Sequence, residues 1–202
     1  MGYTAVIDYN VGNLHSVIKA LAFLGYEARV TSDPHEIGLA EDIILPGVGA
    51  FPEAVDSLRR SGLIDILRAE AGNKPFLGIC LGMQLLFSKG EEIRPTLGLG
   101  LIPGAVRRIK TSLKLPHIGW NCLNYVNPCP LLKDIPERSY VYFVHSFAGF
   151  PESREDLAAV TEYPGEVCAV VSRGNVFGCQ FHPEKSGETG LQILKNFKEL
   201  SI

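Results

Sequence analysis

The first ninety residues alternate between short apolar strand patterns and amphipathic helix patterns, and this alternation restricts the chain to few architectures. Residues 13–25 and 52–73 carry apolar residues at helical spacing, with Gly25 ending the first pattern and Gly62 interrupting the second. Strands that alternate with helices usually pair in parallel, so we predict a layered α/β fold. Four segments have the composition of strands: TAVIDY (4–9), YEARVT (26–31), EDIILPG (41–47) and KPFLGIC (74–80).

The second half of the chain is dominated by strand patterns separated by turn signals. Antiparallel pairing is expected in at least part of this region, and ETGLQILKNFKEL (188–200) closes it as an amphipathic helix. The strand-like segments are SYVYFVHSFAGF (139–150), LAAVTEY (157–163), VCAVVSRG (167–174) and NVFGCQFHP (175–183). We therefore predict one domain over residues 1–202, with a central mixed, mostly parallel sheet flanked by helices.

Composition and charge exclude several classes of protein. The formal net charge is -3 and Lys/Arg residues form no block, which argues against nucleic-acid binding. Five cysteines at irregular spacing, with no Cys-x-x-Cys pair, argue against a structural zinc site. We expect no signal peptide, and no apolar run reaches membrane-spanning length. A cytoplasmic protein with reduced thiols and no membrane partner is the expectation.

The segment GICLG (78–82) lies where the fourth strand pattern gives way to a helix pattern, and LGMQLLFSKG (81–90) begins that helix. This layout is typical of a strand–nucleophile–helix turn, which projects its central side chain away from the sheet. A helix N-terminus also favours the reactive thiolate, so Cys80 is a candidate nucleophile. The alternative is a buried structural cysteine. We assign that alternative to the other four: Cys122, Cys129, Cys168 and Cys179.

The segment QFHPEKS places His182 and Glu184 two residues apart, with Pro183 between them. A residue before proline favours an extended conformation, and in an extended segment residues two apart project to the same side. Glu184 would then orient the His182 ring while the other ring nitrogen faces Cys80, as in a nucleophile–base–orienter arrangement. The alternative is a surface pair at a strand end.

Residue chemistry alone assigns no definite role to two further segments. In LPGVGAF (45–51), Gly47 and Gly49 give a backbone that can present N–H groups to an anion, but an ordinary glycine-rich turn has the same composition. In HIGWN (117–121), residue chemistry alone favours ordinary core and turn residues.

Together these segments resemble the class I (triad) glutamine amidotransferase family over nearly the whole chain. The matching motifs are DYNVGNLHSV, LPGVGAF, GICLGMQLLF, LPHIGWN, YFVHSF and GCQFHPEKS. The PGVGAF, GMQ and HIGWN motifs are similar to those of the family members that supply ammonia to a cyclase subunit in histidine biosynthesis. The resemblance implies a flavodoxin-like α/β fold with no metal and no organic cofactor.

The resemblance also implies a reaction and roles in it. Cys80 would attack the side-chain amide of L-glutamine, His182 would act as base and then acid, and Glu184 would orient His182. Glutamate and ammonia would be released through a thioester at Cys80. The partner would be a (β/α)8-barrel cyclase subunit in a heterodimer, which converts the ribulosyl intermediate PRFAR to imidazole glycerol phosphate and AICAR.

The remaining matching residues would bind groups of the substrate or the partner. The backbone N–H of Leu81, and that of Val48 after the Gly47–Gly49 segment rearranges, would form the oxyanion hole. Gln84 and Glu92 would hold glutamine, although Glu91 is adjacent and differs only in register. The backbone of three residues would line the other side: His145, Ser146 and Phe147, the last where the family often has tyrosine. The partner-facing residues would be His117, Trp120 and Asn121.

Two other functions are compatible with the same residues. One is the glutaminase of another amidotransferase, or a stand-alone γ-glutamyl hydrolase, although the PGVGAF and HIGWN motifs argue against it. The other is a non-enzymatic α/β binding module in which Cys80 is merely buried.

Overall fold

The computed structural model describes residues 2–200, and within this range strands and helices alternate through the first half as the sequence predicts. The strands are β1 (Thr4–Ile7), β2 (Ala28–Thr31), β3 (Asp42–Gly47), β4 (Phe76–Cys80), β5 (Phe87–Gly90), β6 (Thr96–Leu97), β7 (Ile102–Arg108), β8 (His117–Cys122), β9 (Asn124–Tyr125), β10 (Tyr140–His145), β11 (Phe147–Pro151), β12 (Leu157–Glu162), β13 (Glu166–Arg173) and β14 (Val176–Cys179). The helices are α1 (Leu14–Phe23), α2 (Pro34–Leu39), α3 (Phe51–Arg60), α4 (Ile64–Ala71), α5 (Leu81–Leu85) and α6 (Gly187–Glu199). Short 3-10 turns cover Pro130–Leu132, Arg154–Asp156 and Pro183–Lys185.

The central sheet contains eight strands in the order β2-β1-β3-β4-β14-β13-β12-β9. The pairs from β2 to β14 are parallel, and the pairs from β14 to β9 are antiparallel. This division follows the chain, because helices connect β1 to β4 whereas short turns connect β12 to β14. The predicted central mixed sheet flanked by helices is confirmed.

Side chains that alternate along the parallel strands face two separate cores. On one face, Val6, Ile44 and Leu77 pack with residues of α1 and α6. On the other face, Ala5, Ile43 and Phe76 pack with residues of α2, α3 and α4. The carboxyl ends of β3, β4 and β14 therefore meet at one edge of a sheet that is covered on both sides, where α/β folds place their sites.

Two smaller sheets flank the central one. Strands β8 and β10 form an antiparallel pair, and β11-β7-β5-β6 form a four-stranded sheet. Helix α2 and the strands between residues 96 and 125 were not predicted from the sequence. The segment 81–90 differs from its prediction, because the helix ends at Leu85 and a strand begins at Phe87. The predicted strand 139–150 is divided at Ser146 into β10 and β11, which lie in different sheets.

The predicted domain spans residues 1–202. Of these, residue 1 and residues 201–202 lie outside the residues that the structure describes. Within residues 2–200, no helix is both long enough and apolar enough to cross a membrane.

Candidate active site

Cys80 occupies the junction between β4 and α5 in a conformation that residues other than glycine rarely adopt. Its φ is 55° and its ψ is -110°. Such strained backbone occurs mostly at functional sites, where the surrounding structure enforces it. The next residue, Leu81, begins α5, so its N–H belongs to the first turn, in which N–H groups lack an intrahelical acceptor.

The glycines on either side of Cys80 allow the strand and the helix to approach closely, as the sequence predicts. A Cβ on Gly78 would lie 2.7 Å from the carbonyl carbon and oxygen of Gly82. A Cβ on Gly82 would overlap the carbonyl oxygen of Leu45 on β3. A larger side chain at either position would force the backbone to move, so the geometry of this turn requires both glycines of GICLG.

His182 and Glu184 form a buried pair beside Cys80. The distance from His182 Nδ1 to Glu184 Oε1 is 2.8 Å, and the two side chains are only 3% and 1% exposed. The predicted contact is present, but the predicted extended segment is wrong, because Pro183–Lys185 forms a 3-10 turn. Only His182 is extended, as expected before a proline.

Strand β10 fixes the position of this turn. The His182 N–H donates to the carbonyl of Tyr142 at 3.0 Å. The Ser186 hydroxyl donates to the His182 carbonyl at 2.6 Å and accepts from the Tyr142 N–H at 3.0 Å. His182 is therefore held by its backbone on one side and by Glu184 on the other.

The environment of His182 favours its protonated form. Burial lowers its pKa, but interactions with the Cys80 and Glu184 side chains outweigh burial and raise the pKa to about 9. Glu184 occupies Nδ1, and Nε2 has no hydrogen-bond partner within residues 2–200. Nε2 is thus the ring nitrogen available for proton transfer at Cys80.

A cavity of about 320 Å³ opens in front of Cys80 and His182. Cys80 is the cysteine that lines it. Burial raises the pKa of Cys129, Cys168 and Cys179, which suits the structural role predicted for them. The lining contains most of the predicted site residues: Val48, Gly49, Leu81, Gln84, Glu92, His145, Ser146 and Phe147. Its volume suits a small molecule bound by a few polar groups.

Several predicted residues lie outside this lining. Gly47 ends β3, where it pairs with Cys80 of the neighbouring strand β4. Glu184 lies behind His182. His117, Trp120 and Asn121 lie on β8, which pairs with β10.

The structure separates the two adjacent glutamates. Glu91 pairs with Arg107 on the surface at 3.1 Å. Glu92 lines the cavity, and its Oε2 accepts a hydrogen bond of 2.8 Å from the N–H of Phe51 at the start of α3. The register therefore places Glu92, rather than Glu91, at the cavity, with one carboxylate oxygen fixed by a helix N-terminus.

An amide network beneath the cavity includes a residue that the sequence reasoning missed. Gln84 Nε2 donates to the carbonyl of Phe147 at 2.9 Å and to Gln180 Oε1 at 3.0 Å. Gln180 is fully buried, and its Nε2 lies 3.9 Å from Cys80 Sγ. The sequence could have indicated Gln180 by its position two residues before His182, since alternate residues of an extended segment project to the same side. Pro116, in the cavity wall, was also missed.

A pair of buried histidines connects the cavity wall to β8. His145 Nδ1 lies 2.9 Å from the carbonyl of Phe147, so Nδ1 carries the hydrogen. Its Nε2 lies 3.1 Å from His117 Nδ1 and accepts from it. His117 is stacked between the rings of Phe143 and Tyr163, at centroid distances of 4.8 and 4.0 Å. His117 is therefore a buried core residue rather than a surface contact.

The rest of β8 presents an apolar surface. Ile118 is 59% exposed and Trp120 is 54% exposed, and Tyr140 on the paired strand is 58% exposed. The Asn121 side chain donates to the Glu162 carbonyl at 2.7 Å. Large exposed apolar side chains grouped on one face are typical of a protein interface.

Within residues 2–200, no group of three His, Cys, Asp or Glu side chains is arranged to hold a metal ion.

Comparisons with known proteins find relatives that match nearly the whole chain. The family model described as glutamine amidotransferase class-I matches residues 5–200. A protein of Caldanaerobacter subterraneus subsp. tengcongensis named imidazole glycerol phosphate synthase subunit HisH is 52% identical over 197 residues, covering 96% of this chain and 97% of the relative. The protein of the same name from Moorella thermoacetica is 50% identical over 198 residues, covering 97% and 94%.

Solved structures share the fold at low sequence identity. A crystal structure of a glutamine amidotransferase has a TM-score of 0.78 at 20% identity and covers 99% of each chain. The structure of PurLQS from Thermotoga maritima has a TM-score of 0.72 at 24% identity and covers 98% of this chain and 99% of that one. With the family model matching nearly the whole chain, this protein belongs to the class I glutamine amidotransferase family.

Proposed function

We propose that this protein is the glutaminase subunit of an imidazole glycerol phosphate synthase. In this role it hydrolyses L-glutamine and supplies the ammonia to a cyclase subunit. The observation that carries the proposal is the placement of Cys80, on its strained turn, in one cavity with His182, whose ring is held by Glu184 at 2.8 Å. Relatives about 50% identical over at least 93% of both chains bear the name of that subunit.

The first half of the reaction forms a thioester. The Cys80 thiolate, stabilised by the protonated His182, attacks the side-chain amide carbon of glutamine and forms a C–S bond. The oxygen of the tetrahedral intermediate carries the negative charge. His182 Nε2 then gives its proton to the leaving nitrogen, and the C–N bond breaks to release ammonia.

The second half reverses the roles. The neutral His182 takes a proton from a water molecule, which attacks the thioester carbon and forms a second tetrahedral intermediate. The C–S bond breaks, and glutamate leaves with the Cys80 thiolate restored beside protonated His182. Glu184 keeps the ring oriented in both halves because it binds Nδ1 and leaves Nε2 free to transfer the proton.

The oxyanion hole uses two backbone N–H groups. Leu81 supplies one, since its N–H at the start of α5 is next to the nucleophile. Val48 supplies the other when the Gly47–Val48 peptide is turned toward Cys80. The pairing of Gly47 with Cys80 keeps this peptide close to the nucleophile. A missing oxyanion donor costs roughly a hundred- to a thousandfold in rate, which is enough to hold the unpartnered subunit nearly inactive.

The polar lining recognises the amino-acid end of glutamine. Glu92 and the Oε1 of Gln84 are acceptors suited to its ammonium group, because both N–H groups of Gln84 are already used. The backbone of the His145–Phe147 segment forms the opposite wall. The Phe147 carbonyl already accepts two hydrogen bonds, so this residue's contribution comes from other atoms.

The partner is a (β/α)8-barrel cyclase that docks on the β8 face around Trp120, so that ammonia passes without contact with water. The cyclase uses it to convert PRFAR to imidazole glycerol phosphate and AICAR. The setting is the cytoplasm, in keeping with five free cysteines. No metal or organic cofactor takes part in the glutaminase reaction.

Glutaminase activity measured with and without the cyclase, and with and without its ligand, tests the proposal. The expected result is low activity alone and strong stimulation by the cyclase with ligand. High activity without any partner would instead indicate a stand-alone γ-glutamyl hydrolase. No activity and no alkylation of Cys80 by a glutamine-like electrophile would indicate a binding module.

A further inference from the structure

Tyr9 lies where β1 ends and its neighbour β3 continues toward the site. Pairing between the two strands extends to Val6 and Ile44, whereas β3 continues to Gly47. The last residues of β3 therefore extend beyond their pairing with β1, just before the segment that carries the Val48 N–H.

The Tyr9 side chain reaches the end of β3 that extends beyond its pairing with β1. Its hydroxyl donates a hydrogen bond of 2.8 Å to the carbonyl oxygen of Pro46, and the residue is fully buried. The Ser57 hydroxyl of α3 donates in turn to the Tyr9 carbonyl. Burial and the nearby Cys80 raise the pKa of the Tyr9 hydroxyl far above its usual range, so it remains a donor at neutral pH.

The Pro46–Gly47 peptide is enclosed on three sides. A Cβ on Gly47 would collide with Tyr9 Oη and would lie 3.1 Å from the Gly82 nitrogen and from Leu81 Cβ. A Cβ on Gly12 would lie 3.6 Å from the Cα of Gly47. Strand β4, which pairs with Pro46 and Gly47, encloses the third side.

We infer that Tyr9 is a positioning residue for the oxyanion hole, whose hydroxyl fixes the Pro46–Gly47 peptide so that only the following peptide turns. A peptide turns alone when the ψ before it and the φ after it rotate in opposite senses. With Pro46 held, that rotation brings the Val48 N–H to one place relative to Cys80. Without the hydroxyl, the Val48 N–H spreads over several directions, and fewer of them point at the oxyanion.

This inference rests on the proposed function, and Tyr9→Phe tests it with Tyr3→Phe as the matched control. Tyr3 is also buried, and its hydroxyl donates to the Glu36 carbonyl at 2.6 Å, away from the cavity. In the complex with the cyclase and its ligand, Tyr9→Phe should lower kcat by about tenfold and leave KM within about twofold. Tyr3→Phe should keep the native kcat.

Alkylation of Cys80 by iodoacetamide distinguishes positioning from general damage to the site. That substitution develops no oxyanion, so its rate should be the same in Tyr9→Phe and native protein. A kcat for Tyr9→Phe equal to that of Tyr3→Phe would overturn the inference. So would a fall in kcat matched by an equal fall in the alkylation rate.

A stability cycle tests the contact without any turnover. Gly47→Ala should lower Tm less in the Tyr9→Phe background than in the native background, because removing Oη leaves 3.1 Å as the closest approach of the new Cβ. If Gly47→Ala folds only in the Tyr9→Phe background, the conclusion is the same. Equal losses in both backgrounds would refute the contact. This result is independent of glutaminase activity, so the failure of the proposed function and the failure of this inference are distinguishable.

Discussion

Replacing Gly82 by alanine tests whether the close approach of α5 to the sheet sets the position of Cys80. A Cβ on Gly82 would overlap the Leu45 carbonyl oxygen and lie 2.7 Å from the Leu45 carbonyl carbon. Both atoms belong to the backbone of a central strand, so neither moves aside as a flexible side chain would. Helix α5 must move away from β3 by about 1 Å or more before the new methyl group fits.

The expected cost follows from that displacement. Overpacking a core lowers the free energy of unfolding by about 1–3 kcal/mol, and we expect a collision with rigid backbone to cost close to the upper value. For a chain of 202 residues, each kcal/mol lowers Tm by about 2–4 °C, so we expect a loss of about 6–12 °C. The movement also displaces Cys80, which directly precedes α5, relative to His182, and a displacement of about 1 Å costs on the order of a hundredfold in rate.

The measurements are thermal unfolding and stimulated glutaminase activity per folded molecule. Gly38→Ala is the control, since Gly38 lies within α2 and its Cβ would meet nothing within 4 Å. That control should gain about 0.5–1 kcal/mol from helix propensity and keep its activity. A Gly82→Ala protein with native Tm and native turnover would show that the turn does not depend on this approach.

Three further changes test the proposed chemistry and the partner. Cys80→Ala should abolish synthesis from glutamine and spare synthesis from ammonium salt, because Cys80 only releases ammonia; loss with both nitrogen sources would contradict that division. Glu184→Gln should lower the pKa of His182, followed by NMR titration of the ring, from about 9. A histidine whose pKa is raised in the folded state stabilises the fold below pH 6.5, and this stabilisation is lost as pH approaches 9. Native protein should therefore lose more stability between pH 6.5 and 9 than the Glu184→Gln protein does. Parallel curves of stability against pH would argue against the ion pair. Trp120→Ala should weaken binding of the cyclase by roughly 30-fold in calorimetry, and an unchanged Kd would place the interface elsewhere.

Local sequence was sufficient to predict the features that depend on neighbouring residues. The GICLG turn follows from two glycines around a cysteine between a strand pattern and a helix pattern, and the structure places Cys80 there with a φ of 55°. The contact between His182 and Glu184 was predicted for a different reason from the one observed. Pro183 favours the first position of a helical turn as much as it favours an extended predecessor, and the turn prevailed.

Features that depend on distant pairing could not be predicted in the same way. The apolar run after Cys80 fits a helix or a strand, and its second part becomes β5 because it pairs with β7. The division of the segment 139–150 at Ser146 likewise follows from its partners, since β10 pairs with β8 and β11 pairs with β7. Gln180 contacts Gln84 across 96 residues; its position two residues before His182 indicates a place near the site, but no local pattern identifies Gln84 as its partner.

The cavity wall also explains how one protonated histidine is maintained among three close together. Burial lowers the pKa of His117 to about 4. Burial, together with the nearby His117 and His182, also lowers the pKa of His145 to about 4, although the hydrogen bond to the Phe147 carbonyl opposes this shift. A second proton on His145 would place an N–H against the N–H of His117, which now donates to it. Neutral His145 instead keeps its Nδ1–H on the Phe147 carbonyl and fixes this wall of the cavity. The positive charge is thereby confined to His182, beside Cys80, where the proposed reaction requires it.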